Sequence, residues 1–195
     1  MAHLKFDMAK LERLNDPGRF DSLPPDIFVR ALGGLDDART IIEIGAGTGL
    51  FSAAFAQRAP GAVVYAADTA VEMLDWMRAN RPEVAESRIV PVKAEETSVP
   101  LADGTADAVY MINLHHELAD PAASYAEAFR LLKPGGRLLV VDWAPRDTPK
   151  GPPQEVRMSA EALAALLSDA GFSDVAIDET TLPWHLMATA TRPAA

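Results

Sequence analysis

The chain has 195 residues, which fits one domain with a sizeable hydrophobic core. Hydrophobic residues make up 49% of it and charged residues 24%, as in ordinary globular proteins. The formal net charge of −10 argues against partners such as nucleic acid or an anionic membrane surface, which need clustered Lys and Arg. The chain contains no cysteine, which excludes disulfides, thiolate metal sites and a catalytic thiol.

Two helices are predicted ahead of the first strand. Residues 8–14 have apolar side chains at helical spacing, and residues 27–32 form a second helix that ends at the glycine pair 33–34. Residues 15–18, with the sequence N-D-P-G, are a turn signal between them. Residues 1–7 lack the apolar core of a signal peptide, and no run of about 18 apolar residues could cross a membrane. The expected location is therefore cytoplasmic.

Three glycines at alternate positions follow the first predicted strand. Residues 40–44 are an apolar, β-branched run typical of a buried strand, and residues 50–56 have helical composition. Gly45, Gly47 and Gly49 lie between them. Glycine lets the backbone approach a ligand and adopt positive φ, and a helix start presents free N–H groups. The pattern favours a nucleotide-type binding loop over a simple turn that joins a strand to a helix.

The spacing of these glycines argues against a dinucleotide site. A dinucleotide loop needs the pattern G-x-G-x-x-G. Counted from Gly45, the third glycine would fall at Leu50, and counted from Gly47 it would fall at Ser52. The pattern is absent in both frames, so a nicotinamide-dependent oxidoreductase is a weaker hypothesis.

An acidic residue ends the second predicted strand. Residues 62–67 form that strand, and Asp68 follows about twenty residues after Gly45. A carboxylate at this position can accept hydrogen bonds from both hydroxyls of a ribose. Asp is also a good N-cap, so capping of the next helix is the alternative role.

Helices and strands alternate through the rest of the chain, which indicates an open α/β sheet. The helix at 121–132 has Asp120 as its cap and Pro121 as its first residue, and the helix at 160–170 has Ser159 as its cap. The proline-rich stretch 144–157 is interpreted as a cover on the substrate side, with a floppy insertion as the alternative. The other predicted elements are a helix at 71–77, strands at 87–92, 108–113 and 137–141, and two last strands at 174–178 and 184–191.

Polar residues follow the fourth of these strands. Asn113 ends it, and His115, His116 and Glu117 come next, at the edge where open α/β sheets bind ligands. A histidine suits a general base, and Glu117 could orient His116 or bind a substrate cation. Packing of either histidine as a loop anchor is the alternative. No metal site is predicted, because adjacent histidines point in different directions. His185 could also reach the site, although packing alone would explain a histidine in a strand.

Four motifs together resemble those of the class I S-adenosylmethionine-dependent methyltransferases, and the whole chain resembles a small bacterial group among them. The motifs are E-x-G-x-G-x-G at 43–49, D-x-x-x-E-M-L at 68–74, P-L-A-D-G-T-A-D at 100–107 and L-K-P-G-G-R-L-L-V-V-D at 132–142. The resemblance implies a three-layer, Rossmann-like α/β fold whose seven-stranded sheet is mostly parallel with an antiparallel last strand. It also implies a single domain with an N-terminal helical cover (1–38), a cofactor-binding core (39–145) and a substrate-side loop, helix and hairpin (146–195).

The resemblance further implies S-adenosyl-L-methionine as the cofactor. At the expected adenine position the family often has an Asp-Ala pair, whereas this chain has Lys93-Ala94, which leaves the Ala94 backbone and Glu95 as expected contacts. The expected catalytic residues are His116, His115 and Glu117. The expected cofactor-binding residues are Glu43, Gly45, Ala46, Gly47, Gly49, Asp68, Thr69, Ala94, Glu95 and Asn113.

The expected function is transfer of a methyl group to an unidentified small molecule, in an in-line displacement for which positioning supplies most of the rate. The expected partner is that acceptor, with no nucleic acid and no membrane, and the protein is expected to be a monomer or a homodimer. A cofactor-binding regulatory or scaffold subunit without activity is the alternative from another class. The acceptor is not readable from the sequence, because acceptor contacts in such folds come from variable segments.

Overall fold

The structure of the protein is a computed structural model, which describes residues 8–194, with side chains described from Leu11 onward. The stretch 1–7, which the sequence predicts to lack a signal core, lies outside the described residues. Within residues 8–194, no helix combines the length and apolarity that spanning a membrane requires.

A seven-stranded sheet forms the centre of the fold, in the order β3-β2-β1-β4-β5-β7-β6. Neighbouring strands are parallel from β3 through β5, whereas β7 is antiparallel to both β5 and β6. This arrangement confirms the predicted fold class, including the antiparallel last strand. The strands are β1 (Thr40–Ile44), β2 (Val63–Asp68), β3 (Ile89–Lys93), β4 (Ala106–Ile112), β5 (Leu132–Trp143), β6 (Ser173–Asp178) and β7 (His185–Thr191).

Seven helices flank the sheet in the described part of the chain. They are α1 (Met8–Asn15), α2 (Pro25–Ala31), α3 (Leu50–Arg58), α4 (Val71–Asn80), α5 (Pro82–Ala85), α6 (Pro121–Leu131) and α7 (Ala160–Asp169). Short 3-10 turns occur at Pro17–Asp21, His115–Glu117 and Gln154–Val156.

Two hydrophobic clusters, one on each face of the sheet, make the three layers. Successive residues of a strand point to opposite faces, so Ile41 joins the cluster under α2, α3 and α4, whereas Ile42 joins the cluster under α6 and α7. Phe55 of α3 stacks on Tyr110 of β4 with ring centroids 4.0 Å apart in the first cluster. Tyr125 of α6 and Leu167 of α7 are fully buried in the second cluster. Because both faces are covered, the exposed ends of the strands are the places where a ligand can reach the sheet.

The fifth strand differs from its predicted bounds. It begins at Leu132 rather than at residue 137, because Leu132 pairs with Ala106 of β4 before the register shifts at Ala108 and Arg137. The residues between form a bulge in which Gly135 has φ 79°. The carbonyl of Arg192 accepts the Gly135 N–H at 2.8 Å, so the C-terminal segment holds this turn in the sheet.

Candidate functional site

A cavity of about 730 Å³ opens at the edge of the sheet where β1, β2, β3, β4 and β5 end and β7 begins. It spans the point between β1 and β4 where the strand order reverses, which is where open α/β sheets bind ligands. Its volume is in the range of small-molecule sites. A smaller cavity of about 250 Å³ lies at the opposite, amino ends of β1 and β4. The larger cavity is therefore the candidate site.

The glycine loop forms one wall of this cavity. Gly45, Gly47 and Gly49 have φ values of 77°, 52° and 70°, so each occupies the left-handed region that other residues avoid. A Cβ at Gly45 would lie 2.7 Å from the Leu114 side chain, which adds a packing constraint to the backbone one. The N–H groups of Gly45 and Ala46 both donate to the carbonyl of Ala67, at 2.9 and 3.0 Å. These bonds fold the loop back over the end of β2.

Asp68 joins the loop to the helix that follows β2. Its Oδ2 accepts the Gly47 N–H at 2.7 Å, and its Oδ1 accepts the Ala70 N–H at 2.8 Å. The capping alternative is wrong, because Ala70 and not Asp68 is the N-cap residue of α4 and the helix has no side-chain cap; Oδ1 bonds the N–H of the residue ahead of the helix. Because a carboxylate offers about four lone-pair sites, both oxygens can still accept from a ligand in the cavity.

Glu43 is a buried acid at the wall of the cavity and is only 2% exposed. Its Oε2 accepts hydrogen bonds from Ser52 Oγ and from Tyr110 OH, the latter at 3.0 Å. Burial raises the pKa of Glu43 from 4.5 to about 7, although the two hydrogen bonds and nearby Arg19 favour the ionised form. This buried acid is therefore close to its titration midpoint near neutral pH.

The expected adenine contacts are only partly available. The N–H of Ala94 donates to the backbone oxygen of Asp68 at 3.1 Å, and its carbonyl accepts from Lys93 Nζ at 2.8 Å. The N–H of Ala94 is therefore used within the protein, whereas its carbonyl keeps a second lone pair for a ligand. Glu95 is exposed and lines the cavity, so its carboxylate is the more accessible group on this side.

His116 and Asp142 form a hydrogen-bonded pair on the opposite wall. His116 Nδ1 lies 2.9 Å from Asp142 Oδ1, and since a carboxylate only accepts, Nδ1 carries the proton and Nε2 is the basic nitrogen. Burial lowers the pKa of His116, but the hydrogen bond and charge of Asp142 outweigh it, and the pKa is raised above 6.5. Glu117 Oε1 lies 3.9 Å from Nε2. The arrangement is that of a general base with a carboxylate that orients it.

His115 departs from the expected position on the cavity wall. Its side chain is buried, a 2.6 Å hydrogen bond joins its Nδ1 to the hydroxyl of Tyr125, and the two rings stack. Burial lowers the pKa of His115 below its usual value. The predicted alternative of a loop anchor describes this histidine better than a catalytic role, because its ring packs into the core under α6.

The start of β7 contributes a cavity residue for which packing alone is the simpler expectation from sequence. His185 is 1% exposed and lines the cavity, and neither ring nitrogen has a hydrogen-bond partner among the described residues. Its ring centroid lies 4.2 Å from that of Trp143, which pairs with it across β5 and β7. No helical or motif pattern marks His185 in the sequence; only its position at the start of an antiparallel strand could have identified it.

The proline-rich segment is tied down over this half of the cavity. Arg157 donates to the carbonyls of Ala144, Arg146 and Pro152, at 3.2, 2.8 and 2.7 Å. Lys150, Gly151 and Pro152 line the cavity. These contacts favour the predicted cover over a floppy insertion.

The turn after α1 closes the remaining side. Arg19 lies over the Phe51 ring at 4.9 Å and lines the cavity. Arg81 donates to the carbonyl of Thr48 at 3.0 Å and to the side chain of Asn15, so it connects this turn to the glycine loop. No sequence pattern marks either arginine, because each acts through contacts between distant segments.

The structure brings most of the predicted site residues together. Gly49 and His115 are the two that do not line the cavity. Within the described residues, no group of three His, Asp or Glu side chains could hold a metal ion. The predicted residues that do line it are Glu43, Gly45, Ala46, Gly47, Asp68, Thr69, Ala94, Glu95, Asn113, His116 and Glu117.

Comparisons with known proteins point to one family. A family model described as a methyltransferase domain matches residues 42–140. An uncharacterized methyltransferase of Mycobacterium tuberculosis is 38% identical over 110 residues, which cover 56% of this chain and 42% of the relative. A demethylmenaquinone methyltransferase of Thermus thermophilus is 36% identical over 113 residues, which cover 58% of this chain and 50% of the relative. The chain thus spans about half the length of these curated relatives.

A solved structure matches along nearly its whole length. The crystal structure of a SAM dependent methyltransferase from Aquifex aeolicus superimposes with a TM-score of 0.85 and 28% sequence identity, covering 96% of this chain and 99% of that one. The family match contains the glycine loop, Asp68 and the His116 turn, which form part of the cavity wall. On this agreement of sequence, fold and cavity, the chain belongs to the methyltransferase domain family.

Proposed function

We propose that the chain is an S-adenosyl-L-methionine-dependent methyltransferase that acts on a small molecule. The observation that carries the proposal is the closure of the glycine loop on Asp68, where the Gly47 N–H lies 2.7 Å from the carboxylate at the cavity wall. The relatives named as methyltransferases and the SAM dependent enzyme from Aquifex aeolicus support it.

The residues present suit this cofactor. Asp68 keeps lone pairs for two ribose hydroxyls, and the buried carboxylate of Glu43 suits a cationic amino or sulfonium group. Thr48 Oγ1 and Asn113 Oδ1 are buried without a partner in the part of the chain that the structure describes, so a ligand can satisfy them. A Cβ at Gly47 would meet nothing nearer than Leu14 at 3.8 Å, which leaves this part of the wall open to a ligand.

The cavity divides into two halves by strand. The cofactor half, at the ends of β1, β2 and β3, holds Glu43, the glycine loop, Asp68, Thr69 and Glu95, with Asn113 at the boundary. The acceptor half, at the ends of β4 and β5 and the start of β7, holds His116, Trp143, Lys150 and His185. Gly49 shapes the loop from outside the cavity, as N-cap of α3.

The bound cofactor supplies an electrophilic methyl group. The protein supplies position, because the two halves meet in one cavity and hold both reactants at the same strand ends. His116 Nε2 accepts a proton from an acceptor that must lose one, and Asp142 stabilises the imidazolium that results. Glu117 lies close enough to Nε2 to add to that stabilisation. His115 supports the turn that presents His116.

Calorimetry with S-adenosylhomocysteine tests the proposal directly. The wild type should bind it, and Asp68→Asn should weaken binding by about tenfold or more, since an amide cannot accept from both Gly47 and Ala70. Asp75→Asn, an exposed acid in an ion pair on α4, is the matched control and should bind normally. No heat from the wild type would overturn the proposal.

The alternatives have distinct outcomes in the same series. A scaffold subunit would bind S-adenosylhomocysteine but release none from S-adenosylmethionine with any acceptor in a metabolite library. A nicotinamide enzyme would bind NADH instead. The sequence disfavours this outcome, because Leu50 and Ser52 stand where dinucleotide loops have glycine. The cytoplasmic location, the monomeric or dimeric state, the absence of nucleic-acid partners and the single-domain division into 1–38, 39–145 and 146–195 stay predictions.

A further inference from the structure

The acceptor half of the cavity contains a buried polar side chain that nothing in the described protein satisfies. His185 is 1% exposed, and both Nδ1 and Nε2 lack partners among the described residues. A neutral imidazole carries one donor and one acceptor, and leaving such groups unpaired in a buried site destabilises the protein. A ligand oxygen that can both accept and donate, such as a hydroxyl, would satisfy either nitrogen.

The electrostatic surroundings of His185 favour a negative ligand group. Burial lowers the pKa of His185 from 6.5 to about 4, so the ring is neutral at neutral pH. The carboxylate of Asp142 opposes this effect, whereas the positive charges of Arg19, Lys150 and Arg146 reinforce it. Against these three cations stand the carboxylates of Asp142 and, beside His116, of Glu117, so the charges around His185 are on balance positive in a chain whose formal net charge is −10. An anionic oxygen therefore suits the His185 corner better than a protonated amine does.

His116, the general base of the same half of the cavity, narrows the chemical class of the acceptor further. Asp142 Oδ1 accepts from His116 Nδ1 at 2.9 Å, which leaves His116 Nε2 free to take a proton. A histidine base works best on a group whose acidity is close to its own. A carboxylate has no proton to give at neutral pH, and an aliphatic alcohol is far too weak an acid. Of the oxygen acceptors, a hydroxyl on an sp² carbon, as in a phenol or an enol, comes closest to the histidine in acidity.

We propose that the acceptor is a molecule with an acidic hydroxyl on an sp² carbon, and that His185 is the residue that recognises its oxygen. This inference rests on the proposed function and names the substrate class for the same cavity. The O–H bond breaks with its proton passing to His116 Nε2, and the oxygen keeps the electron pair. His185 then donates its N–H to the oxyanion, beside the positive charges of Arg19 and Lys150.

A chromogenic phenol can test this without turnover. 4-Nitrophenol is titrated into the wild type with and without saturating S-adenosylhomocysteine, and the visible absorbance of its anion gives both affinity and ionisation. The bound phenol should be more ionised than the free phenol at the same pH. 4-Nitroaniline, which has the same shape and no acidic hydroxyl, should bind at least about tenfold more weakly.

Variants separate recognition from folding. His185→Phe removes both polar atoms and should weaken 4-nitrophenol about tenfold or more, whereas His185→Gln keeps a neutral donor and acceptor and should stay within about threefold. Lys150→Ala should reduce ionisation of the bound phenol. Lys133→Ala, whose ion pair with Asp107 lies at the other end of the sheet, is the matched control. Circular dichroism melting shows which variants fold.

Binding of 4-nitroaniline as tight as that of 4-nitrophenol, or no excess ionisation of the bound phenol in the wild type, would overturn the inference whatever the variants do. Equal affinity of folded His185→Phe and wild type would also overturn it. S-adenosylhomocysteine binding without 4-nitrophenol binding would remove this inference and leave the proposed function standing. The titration without S-adenosylhomocysteine judges the hydroxyl proposal even if the cofactor proposal fails.

Discussion

Replacement of Glu43 by glutamine should make the protein more stable at alkaline pH. Burial raises the pKa of this carboxyl from 4.5 to about 7. A group with a raised pKa in the folded state stabilises that state below its unfolded pKa, and this stabilisation is lost as the pH rises through the folded pKa. The loss therefore falls between pH 4.5 and about 7, and glutamine, which does not titrate, should not show it.

The size of the effect follows from the shift. One pKa unit corresponds to about 1.4 kcal/mol, so a rise from 4.5 to about 7 corresponds to roughly 3 kcal/mol of unfolding free energy. Glutamine keeps an oxygen that can accept from Ser52 and Tyr110, so the two proteins should be similarly stable near the low end of this range. Above pH 7 the Glu43→Gln variant should be more stable by roughly that amount.

Urea unfolding at half-unit steps from pH 5 to pH 8 measures this difference directly. Titration of all other groups is common to both proteins and cancels in the comparison. Ser52→Ala provides an internal check. The Ser52 hydroxyl favours ionised Glu43, so its removal should raise the pKa of Glu43 further and shift the pH at which stability is lost to values above 7. Parallel curves for the wild type and Glu43→Gln across the whole range would refute the reasoning.

Three further changes test other parts of the site. Asp142→Asn removes the charge that raises the pKa of His116, so an NMR titration of the His116 ring should give a lower pKa. An unchanged pKa would show that Asp142 does not control the ionisation of His116. Gly45→Ala should lower the free energy of unfolding in urea by about 1–3 kcal/mol more than Gly135→Ala. The backbone strain is similar, with φ 77° at Gly45 and 79° at Gly135, but only a Cβ at Gly45 meets other atoms, at 2.7 Å. Equal losses of stability would contradict this prediction. Arg157→Ala should speed amide exchange in 144–157 about tenfold while leaving β1 unchanged, and identical protection in both proteins would show that the guanidinium does not hold the segment.

The fold was accessible from sequence where local signals agree with one another. The β-branched run at 40–44, the glycines after it and the cap at Asp120 each specify one local structure, and the structure has all three. The start of β5 was not accessible in this way. Its first residue, Leu132, is a strand residue only because Ala106 pairs with it, and that pairing is a contact between distant segments that proline and glycine at 134–136 conceal.

The site was accessible on the cofactor half and less so on the acceptor half. Asp68 follows a strand at a spacing that has a chemical reason, and it lines the cavity. His115 and His116 are adjacent, and no local pattern says which of them faces a ligand; the hydrogen bonds to Tyr125 and Asp142 decide it. The same holds for His185, whose neighbours are supplied by three separate segments of the chain.

The reversed direction of β7 has a consequence for how the acceptor half of the cavity can be altered. That strand enters the sheet at the cavity edge, so its opening position lies beside the cavity, whereas the connection 179–184 before it is anchored by the buried side chain of Leu182 and by the bonds of Arg146 to its carbonyls. Under the proposed function, exchange of the residue at 185, with Leu182 and Arg146 kept, would alter the acceptor half while the glycine loop and Asp68 stay as they are.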